Sequence, residues 1–470
     1  MTLKVGIAII GAGSAGLAAL RQVRKRTEDF VLVNDGPYGT TCARVGCMPS
    51  KALIEIAHAF HGRTRFETFG IRGGEHLALD LPAAMRRVRE LRDRFVDGVL
   101  RATADLGERN ISGRARLQGP GRFSVEGRRF EARRIILATG SHPVVPPAWA
   151  AFGDRIQTTD TMFELETLPR RVAVIGMGAV GVEFAQALAH LGLEVTAFSR
   201  GASLAGLSDA PVIDALRSIL AEAFTLHTGG DVEITEAGAG LRVGMGEHAA
   251  TVDMALVAIG RRPNLDDLGL ETLGLALDER GLPPFDPTTM RIGELPVFLA
   301  GDVNAHAPLL HEAADEGYIA GVNATVADPT CFQRRTPLDI VFAEPGIATV
   351  GKRHGELAPG TFVVGAVDFA DQGRARMGQR NRGLLRLYAD ANSGRLLGAE
   401  MCAPAAEHLA HLLALAIGQR LTVLDLLRTP FYHPVIEEGL RTALRDAARH
   451  FDSDASDLAA CVPFKAEALG

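Results

Sequence analysis

The sequence predicts an α/β protein in which two similar nucleotide-binding units precede a different, α+β block. Two turns of the form Gly-x-Gly-x-x-Gly, at Gly11–Gly16 and Gly176–Gly181, each follow an apolar strand pattern and open a helical one. From about Thr336 the pattern changes to separate strands, a helix and a final polar segment. A chain of 470 residues is long enough for two to four domains.

Each Gly-rich turn predicts a Rossmann-like dinucleotide site. One such turn alone is weak evidence, but two turns in the same strand–turn–helix setting are strong evidence. Glycines let the backbone approach a pyrophosphate, and the helix N-terminus stabilises its charge. The glycines concerned are Gly11, Gly13 and Gly16 in the first turn and Gly176, Gly178 and Gly181 in the second. The chain is therefore predicted to bind two dinucleotides.

Other elements follow from apolar runs and turn residues. Arg86–Arg101 predicts an Arg-rich helix whose charges form a solvated face rather than a binding patch. Strands are predicted within both units and in the C-terminal block, where a helix follows them. The strands are Val5–Ile10, Val31–Val33, Ile135–Leu137, Val172–Ile175, Val195–Phe198, Met254–Ile259, Val297–Leu299, Ile347–Val350 and Leu384–Leu387, and the helix is Ala405–Ile417.

The segment from Cys42 to Lys51 has unusual cysteine spacing. On a regular helix, residues five apart have Cα atoms roughly 8–9 Å apart, whereas a disulfide needs about 4.4–6.8 Å. The pair can close only if the chain bends, and Gly46 permits a bend. Pro49 suits the first turn of a helix that starts near Cys47, where the helix dipole favours a thiolate. The alternative is two unrelated buried thiols.

Composition limits the classes of function. The net charge of −6 argues against a nucleic-acid partner. No apolar run reaches transmembrane length and no signal peptide is apparent, so we expect a cytoplasmic protein without a membrane partner. Five scattered cysteines do not form a secreted disulfide scaffold. The sequence predicts no metal site.

Taken in order, these motifs resemble the flavin-dependent pyridine-nucleotide disulfide oxidoreductases. This family includes dihydrolipoamide dehydrogenase, glutathione reductase and mercuric reductase. The resemblance implies an FAD-binding domain at 1–146 and 264–335, an NAD(P)-binding domain at 147–263 and a C-terminal dimerisation domain at 336–470. Pro49-Ser50-Lys51 is similar to the dihydrolipoamide dehydrogenase and mercuric reductase branch.

The resemblance also implies roles for residues of the redox site. Cys47 is expected beside the flavin ring, and Cys42 is the thiol that exchanges with substrate. Lys51 and Glu183 are expected to pair near the flavin. The other FAD contacts implied are Asn34, Asp35, Thr139, Gly140, Gly301 and Asp302, and Gly260 is expected to contact NAD(P).

The C-terminal block resembles the domain that supplies an acid/base group in proteins of this family. His433 is expected to be the general acid/base, oriented by Glu438, and to reach the cysteine pair of the other subunit. That arrangement makes a homodimer obligatory for activity. The family also implies a cis peptide bond between His433 and Pro434.

The chain departs from the family at both nucleotide sites. Asn34 stands where an acid that binds the adenosine ribose is expected, with Asp35 next to it. In the second unit, Ser199 replaces the acid that NAD-dependent members carry, and Arg200 follows. Loss of the carboxylate removes a repulsion, and arginine can pair with a 2′-phosphate. These changes favour NADP(H) over NAD(H), although Gly206 stands near the place of a second arginine.

The predicted function is transfer of electrons between NAD(P)(H), FAD, the cysteine pair and a dithiol or disulfide substrate, with dihydrolipoamide as the first choice. One alternative is an NADPH-dependent reductase of another small disulfide, a metal ion or a quinone. A transhydrogenase is disfavoured because such enzymes lack the first cysteine. A non-enzymatic alternative is a docking subunit on a lipoyl-bearing complex. Cys461 is predicted to be a bystander.

Overall fold

The computed structural model of the protein describes residues 2–451 and Leu458. Cys461 and the rest of the C-terminal segment lie outside the described residues, so the prediction for Cys461 stays a prediction.

The strands of the described residues are short and mostly buried. They are β1 (Thr2–Ile10), β2 (Phe30–Asn34), β3 (Asn110–Ser112), β4 (Ala115–Leu117), β5 (Arg122–Val125), β6 (Arg128–Leu137), β7 (Ser141–Pro143), β8 (Ile156–Gln157), β9 (Arg171–Ile175), β10 (Glu194–Ser199), β11 (Thr225–Thr228), β12 (Glu233–Ala237), β13 (Gly240–Met245), β14 (His248–Val252), β15 (Met254–Val257), β16 (Arg261–Pro263), β17 (Val297–Leu299), β18 (Leu338–Val341), β19 (Gly346–Gly351), β20 (Phe362–Asp368), β21 (Leu384–Asp390) and β22 (Leu396–Ala403).

The α-helices of the same residues vary from one turn to more than six. They are α1 (Ser14–Val23), α2 (Thr41–Arg44), α3 (Cys47–His61), α4 (Leu81–Ala104), α5 (Pro147–Ala150), α6 (Thr159–Met162), α7 (Ala179–His190), α8 (Ala210–Ala223), α9 (Leu310–Asn323), α10 (Gly373–Met377), α11 (Ala406–Gly418), α12 (Val423–Leu427) and α13 (Glu438–Ala448).

The chain divides into two compact units. Among the described residues, the first comprises 2–56, 79–169 and 256–334, and the second comprises 57–78, 170–255 and the residues from 335 onward. The second Gly-rich turn and the C-terminal block therefore belong to one unit. The three domains and the boundaries predicted from the sequence stay a prediction.

A mostly parallel sheet forms the centre of the first unit. Its order is β3-β2-β1-β6-β5-β4, and β17 also pairs with β6. The strands β2, β1, β6 and β17 run parallel, with Ile9 opposite both Leu32 and Ile136. Side chains on both faces of β1 are buried, because Ile7 and Ile9 pack on one side while Ala8 and Ile10 pack on the other. Such double burial is typical of a parallel sheet covered on both faces.

Close packing of α1 against α9 depends on glycine. A Cβ atom at Gly317 would lie 2.1 Å from the carbonyl oxygen of Ala15, and one at Gly321 would lie 2.7 Å from that of Ala19. Both distances are shorter than van der Waals contact between these atoms, so only glycine allows the two helices to approach this closely. This packing holds the first turn of α1 beside the first Gly-rich loop.

The second unit contains three sheets. One sheet contains β11, β10, β9 and β15 in that order, and β11, β10 and β9 run parallel. A small antiparallel sheet has the order β12-β13-β14. The C-terminal block is an antiparallel sheet of order β18-β19-β22-β21-β20. Helices α11 and α13 bury residues such as Leu409 and Leu440 in the core of that block.

The predicted elements are confirmed at nearly every position. The predicted Arg-rich helix is α4, and Arg86, Arg87 and Arg94 on it are exposed, as the solvated-face interpretation requires. The predicted C-terminal helix is α11, which begins one residue later than expected. Within the described part of the chain, the helices that are long enough to cross a membrane are not apolar enough to do so.

Candidate active site

The two cysteines of the Cys42–Cys47 segment lie on either side of a break between two helices. Cys42 is in the one-turn helix α2, which is capped by the side chain of Thr40 accepting from the Ala43 N–H at 3.1 Å. The chain then bends at Gly46, and α3 begins at Cys47. A Cβ atom at Gly46 would lie 3.2 Å from the Cα atom of Cys42. The predicted bend and helix start are confirmed, and Gly46 allows a close backbone approach.

The two cysteines are in contact as thiols. The side chain of Cys42 is hydrogen-bonded to Cys47, and this bond, with burial, raises the pKa of Cys42 far above its usual value. The positive charge of Lys51 lowers that pKa by a smaller amount. Cys47 stands at the N-terminus of α3, where the helix dipole stabilises an anion.

The first Gly-rich loop is held in place by Asn34. The N–H of Ala12 donates to Asn34 Oδ1 at 3.0 Å, and Asn34 Nδ2 donates to the Gly36 carbonyl at 2.9 Å. The residue at the predicted ribose position therefore positions the loop with its amide group. Asp35 is exposed beside it. The predicted ribose contact by either residue stays a prediction.

The glycines of this loop are required by close backbone contacts. Gly11 has φ +111°, and a Cβ atom there would lie 2.1 Å from the Ala138 carbonyl oxygen. A Cβ atom at Gly16 would lie 1.9 Å from the Gly11 carbonyl oxygen. Gly13 stands at the N-cap of α1 without a side-chain cap, so the helix N-terminus is open to a phosphate group.

A cavity of about 390 Å³ opens beside this loop, and several residues that the sequence predicts to contact FAD line it. Its lining includes Gly11, Asn34, Asp35, Thr139, His142 and Asn264. Asn264 Nδ2 donates to the Thr139 carbonyl at 2.8 Å, and Thr139 Oγ1 donates to the Asn264 carbonyl at 2.9 Å. His142 Nδ1 lies 2.6 Å from Asn264 Oδ1. Neither Asn264 nor His142 was predicted, because their importance comes from pairing between β7 and the residue that follows β16.

Asp302 is oriented by residues on the β7–β16 ladder. Ser141 Oγ donates to Asp302 Oδ2 at 2.8 Å, and Arg261 Nε donates to Ser141 Oγ at the same distance. Gly301 has φ +83°, and a Cβ atom there would lie 2.8 Å from that of Ala15. The predicted Gly301-Asp302 turn therefore meets the start of α1, with its carboxylate held in one orientation.

Glu316 anchors the same turn and was missed from the sequence. It is fully buried on α9, and its Oε2 accepts from the Gly301 N–H and from Asn304 Nδ2, both at 2.7 Å. Arg334 pairs with Glu316 Oε1 at 3.2 Å. Burial raises the pKa of Glu316, although these hydrogen bonds and Arg334 oppose the shift. No local signal marks Glu316, because a glutamate within a helix resembles a surface residue.

The second Gly-rich loop lies in the second unit. Gly176 has φ +94° and its N–H donates to the Phe198 carbonyl at 2.7 Å. Gly178 is the N-cap of α7, and Gly181 is buried in its first turn. Glu183 follows on α7, is buried, and its Oε1 accepts from the Phe342 N–H at 2.9 Å. The predicted pairing of Glu183 with Lys51 joins residues of different units and stays a prediction.

The residues that predict nucleotide choice lie at the end of β10. Ser199 is buried, and its carbonyl accepts from the Gly229 N–H at 3.0 Å. Arg200, the next residue, is exposed. Gly260, the other predicted NAD(P) contact, lies in the first unit, where its carbonyl accepts from the Val144 N–H at 3.0 Å.

His433 and Glu438 form a pair near the C-terminus. His433 Nδ1 lies 3.1 and 3.2 Å from the two carboxylate oxygens of Glu438, so Nδ1 carries the proton and Nε2 is left as an acceptor. Burial disfavours the charge of Glu438, but hydrogen bonds from His433 and the Val435 N–H outweigh it and lower the pKa of Glu438. Arg441 also pairs with Glu438 at 2.9 Å. The His433–Pro434 peptide bond is cis, as predicted.

The His433 side chain is exposed, whereas its partner is not. Its exposed fraction is 80%, against 17% for Glu438. Tyr432 beside it is also 80% exposed. The imidazole is therefore oriented by its own chain but not covered by it.

Comparison with known proteins agrees with this geometry. Residues 5–317 match the family model described as pyridine nucleotide-disulphide oxidoreductase, and residues 338–444 match the dimerisation domain of the same family. Dihydrolipoyl dehydrogenase 2 of Haloarcula marismortui is 30% identical over 94% of this chain and 96% of its own length. A mercuric reductase of Shigella flexneri is 31% identical over 97% of this chain and 82% of its own length.

A solved structure has the same fold. LpdA of Mycobacterium tuberculosis superposes with a TM-score of 0.81 at 27% identity, covering 94% of this chain and 99% of its own. The dimerisation domain supports a homodimer, and the family depends on FAD and NAD(P). With its thiol pair, two dinucleotide loops and C-terminal dimerisation domain, this chain belongs to the FAD-dependent pyridine nucleotide-disulphide oxidoreductase family, like lipoamide dehydrogenase.

Proposed function

We propose that the protein is a dihydrolipoyl dehydrogenase-like enzyme that passes electrons between dihydrolipoamide, the cysteine pair and NAD(P). The observation that carries the proposal is the contact between the Cys42 and Cys47 thiols at the start of α3. A dithiol that closes to a disulfide in place is the group needed to exchange with another dithiol.

The proposed exchange transfers two electrons from a substrate dithiol to the Cys42–Cys47 disulfide. One substrate thiolate attacks the Cys42 sulfur of the disulfide and displaces Cys47 as a thiolate. The second substrate thiol then attacks the substrate sulfur of the mixed disulfide and releases Cys42. The substrate loses two electrons and two protons and becomes a disulfide. The cysteine pair gains the two electrons, one proton ends on the released Cys42 thiol, and the other is taken by a base.

The proton released when the attacking substrate thiol becomes a thiolate needs an acceptor, and His433 is the residue proposed for it. Its Nε2 carries the free lone pair, because Nδ1 is engaged with Glu438. Histidine is the side chain best suited to exchange protons near neutral pH. Because the imidazole is exposed in its own chain, we propose that it serves the cysteine pair of the other subunit.

The FAD site is assigned to the first unit. The Gly11–Gly16 loop and the N-terminus of α1 would hold the pyrophosphate, and the oriented carboxylate of Asp302 would bind a hydroxyl of the ribityl chain. Thr139, Gly140 and Lys51 are the remaining proposed contacts. Bound FAD supplies the two-electron relay between the thiol pair and NAD(P).

A comparison of reductants tests the proposed substrate. FAD-loaded oxidised enzyme is mixed with dihydrolipoamide, NADH or NADPH, and flavin absorbance is followed by stopped flow. We expect fast reduction by dihydrolipoamide in the wild type and none in the Cys42→Ser variant, which should still be reduced by the nucleotide. Cys331→Ser is a matched control that changes an exposed cysteine outside the site. Reduction by NADPH alone would contradict the proposed substrate.

A second candidate uses the same site in the opposite direction. The mercuric reductase relative and the Ser199–Arg200 pair favour an NADPH-driven reductase of another small disulfide, a metal ion or a quinone. The same experiment separates the two, because this candidate predicts fast reduction by NADPH and slow reduction by dihydrolipoamide. Only the first candidate function predicts a lipoyl-bearing protein as a partner.

We also propose a preference for NADP(H). Ser199 places no carboxylate at the end of β10, and the exposed Arg200 can pair with a 2′-phosphate. One charge-assisted contact to an exposed phosphate should raise kcat/KM for NADPH over that for NADH by about 10-fold, the lower end of the range for such a contact. The Ser199→Glu, Arg200→Ala double variant should reverse the preference, while Arg170→Ala, an exposed arginine just before β9, should leave it unchanged. A tenfold preference of the wild type for NADH would contradict the proposal.

A further inference from the structure

Three histidines and a glutamate of the second unit meet outside the redox site. His58 and His61 lie on the last turn of α3, His190 lies on the last turn of α7, and Glu344 follows β18. One ligand atom each of His58, His190 and Glu344 lies within 4.8 Å of the other two. The rings of His61 and His190 stack at 3.7 Å between centroids and 8° between planes.

His190 contains a buried polar atom that lacks a partner. The residue is 6% exposed, and among the described residues none forms a hydrogen bond with its Nδ1. A buried nitrogen without a hydrogen-bond partner is destabilising, so it calls for a ligand. Neutral imidazole nitrogen is a common ligand of metal ions.

Glu344 is fixed to α7 through its backbone. Its N–H donates to Gln186 Oε1 at 2.7 Å, and its carbonyl accepts from Gln186 Nε2 at 2.8 Å. The carboxylate Oε1 pairs with Arg65 at 2.8 Å, and Arg380 lies 3.9 Å from the same oxygen. Both ion pairs use the same carboxylate oxygen, Oε1. The Arg65 guanidinium therefore already pairs with this carboxylate and would compete with a metal ion for it.

Two helix ends add a field that favours a cation. The α3 and α7 helices both terminate at this cluster, and helix C-termini carry partial negative charge from their last carbonyl groups. Two imidazoles and one carboxylate are a donor set typical of Zn²⁺ with an open fourth position. Ligand atoms around a tetrahedral Zn²⁺ are about 3.4 Å apart, so the half-buried side chains of His58 and Glu344 would move inward on binding.

We propose that His58, His190 and Glu344 form a binding site for a divalent metal ion of the Zn²⁺ class. His61 supports the site by stacking on His190, and Arg65 balances Glu344 when the ion is absent. The sequence predicts no metal site because the three ligands come from distant parts of the chain, with no local ligand spacing. The site is independent of the substrate proposed above.

The test measures Zn²⁺ binding to the full-length, FAD-loaded, oxidised protein by competition with a chromophoric chelator. We expect one Zn²⁺ per chain. His58→Gln and Glu344→Gln should each weaken binding more than about 10-fold, since loss of even an outer-shell contact costs about 10–100-fold. Arg65→Gln should tighten binding, because it frees the carboxylate. If the Arg65–Glu344 ion pair had only a structural role, its removal would not increase the affinity for Zn²⁺.

A matched control comes from the same unit. His227 and His248 stack at 4.3 Å, as His61 and His190 do, but no carboxylate joins them in the described residues as a candidate metal ligand. His227→Gln should leave Zn²⁺ affinity unchanged. Co²⁺ absorption provides a second readout, since tetrahedral nitrogen and oxygen ligation lacks a thiolate charge-transfer band.

Three outcomes would overturn the proposal. The first is a dissociation constant for Zn²⁺ above about 100 µM, which corresponds to a binding free energy weaker than roughly 5.5 kcal/mol. The second is affinity that survives in both His58→Gln and Glu344→Gln. The third is a Co²⁺ spectrum with a thiolate band that disappears in Cys42→Ser, which would place the ion on the redox cysteines.

Discussion

At the scale of single residues, Cys42 and Cys47 have different surroundings, because Cys42 lies within α2 and Cys47 begins α3. The hydrogen bond between them raises the pKa of Cys42, and the start of α3 stabilises charge on Cys47. The two thiols should therefore respond differently to the same substitution, although they are chemically identical. Sequence alone predicted the bend and the helix start, from Gly46 and Pro49, but the hydrogen bond between the two thiols required the folded geometry.

This difference predicts a spectroscopic result. Two-electron reduction of the wild type should produce a long-wavelength absorption band, because the Cys47 thiolate is proposed to lie against the flavin. Cys47→Ser should abolish the band, while Cys42→Ser should show it permanently without reductant. A band that persists in Cys47→Ser would show that the two roles are exchanged or that neither thiol contacts the flavin.

His433 and Glu438 predict a graded loss of activity. His433→Ala should slow dithiol oxidation by about 10²–10⁴-fold, the usual effect of a lost general base. Glu438→Gln should cost less, because it only orients the ring and fixes the tautomer. The measurement is kcat with dihydrolipoamide at pH 7, with His408→Ala as a control at an exposed histidine of the same block. Equal losses at His408 and His433 would contradict the assignment.

The pKa of Glu438 predicts how stability depends on pH. Its folded pKa is lowered, so the stability that the carboxylate contributes is present above the unfolded pKa of about 4.3. That contribution is lost as the pH falls through the lower, folded value. The difference in Tm between wild type and Glu438→Gln should therefore be largest near neutral pH and vanish under strongly acidic conditions. A difference that grows on acidification would show that the pair has the opposite linkage.

At the scale of elements, the packing of α1 on α9 is the feature that fixes the first Gly-rich loop. Apolar runs and Gly-rich turns are local signals, so the strands and α1 could be predicted from the sequence. Glu316 and Arg334 could not, because their pairing depends on which side of α9 faces the sheet. Asn264 and His142 were missed for the same reason, since residues far apart in sequence become partners only through β7 and β16.

The α1–α9 contact predicts a large effect of a single methyl group. Gly317→Ala would place Cβ 2.1 Å from the Ala15 carbonyl oxygen, so one helix must move. Overpacking of this kind costs about 1–3 kcal/mol, and the FAD-loaded protein should show a lower Tm and weaker retention of FAD. Gly373→Ala is the control, because a Cβ atom there meets open space. Equal Tm values for the two variants would contradict the proposed role of the contact.

At the scale of the whole molecule, we propose that His433 links the dimerisation domain to the redox reaction. The family resemblance implies that the imidazole reaches the cysteine pair of the other subunit. Mixing tests it directly. Cys47→Ser and His433→Ala subunits, each inactive alone, should together regain about a quarter of wild-type activity, because half of the random dimers contain one intact site.

The control for this mixture is the oligomeric state of each parent. If both parents form stable dimers that exchange subunits and the mixture remains inactive, the cross-subunit site is wrong. Activity in the His433→Ala parent alone would show that another base serves the thiols.

The exposure of His433 has a consequence for how activity depends on concentration. Its ring is oriented by Glu438 within one chain but leaves 80% of its surface to solvent. If the partner's cysteine pair is what that surface meets, a separated chain keeps its fold and nucleotide sites yet cannot turn over. Specific activity should then fall on dilution and recover on reconcentration, because each catalytic event needs an encounter between two copies before it needs a substrate.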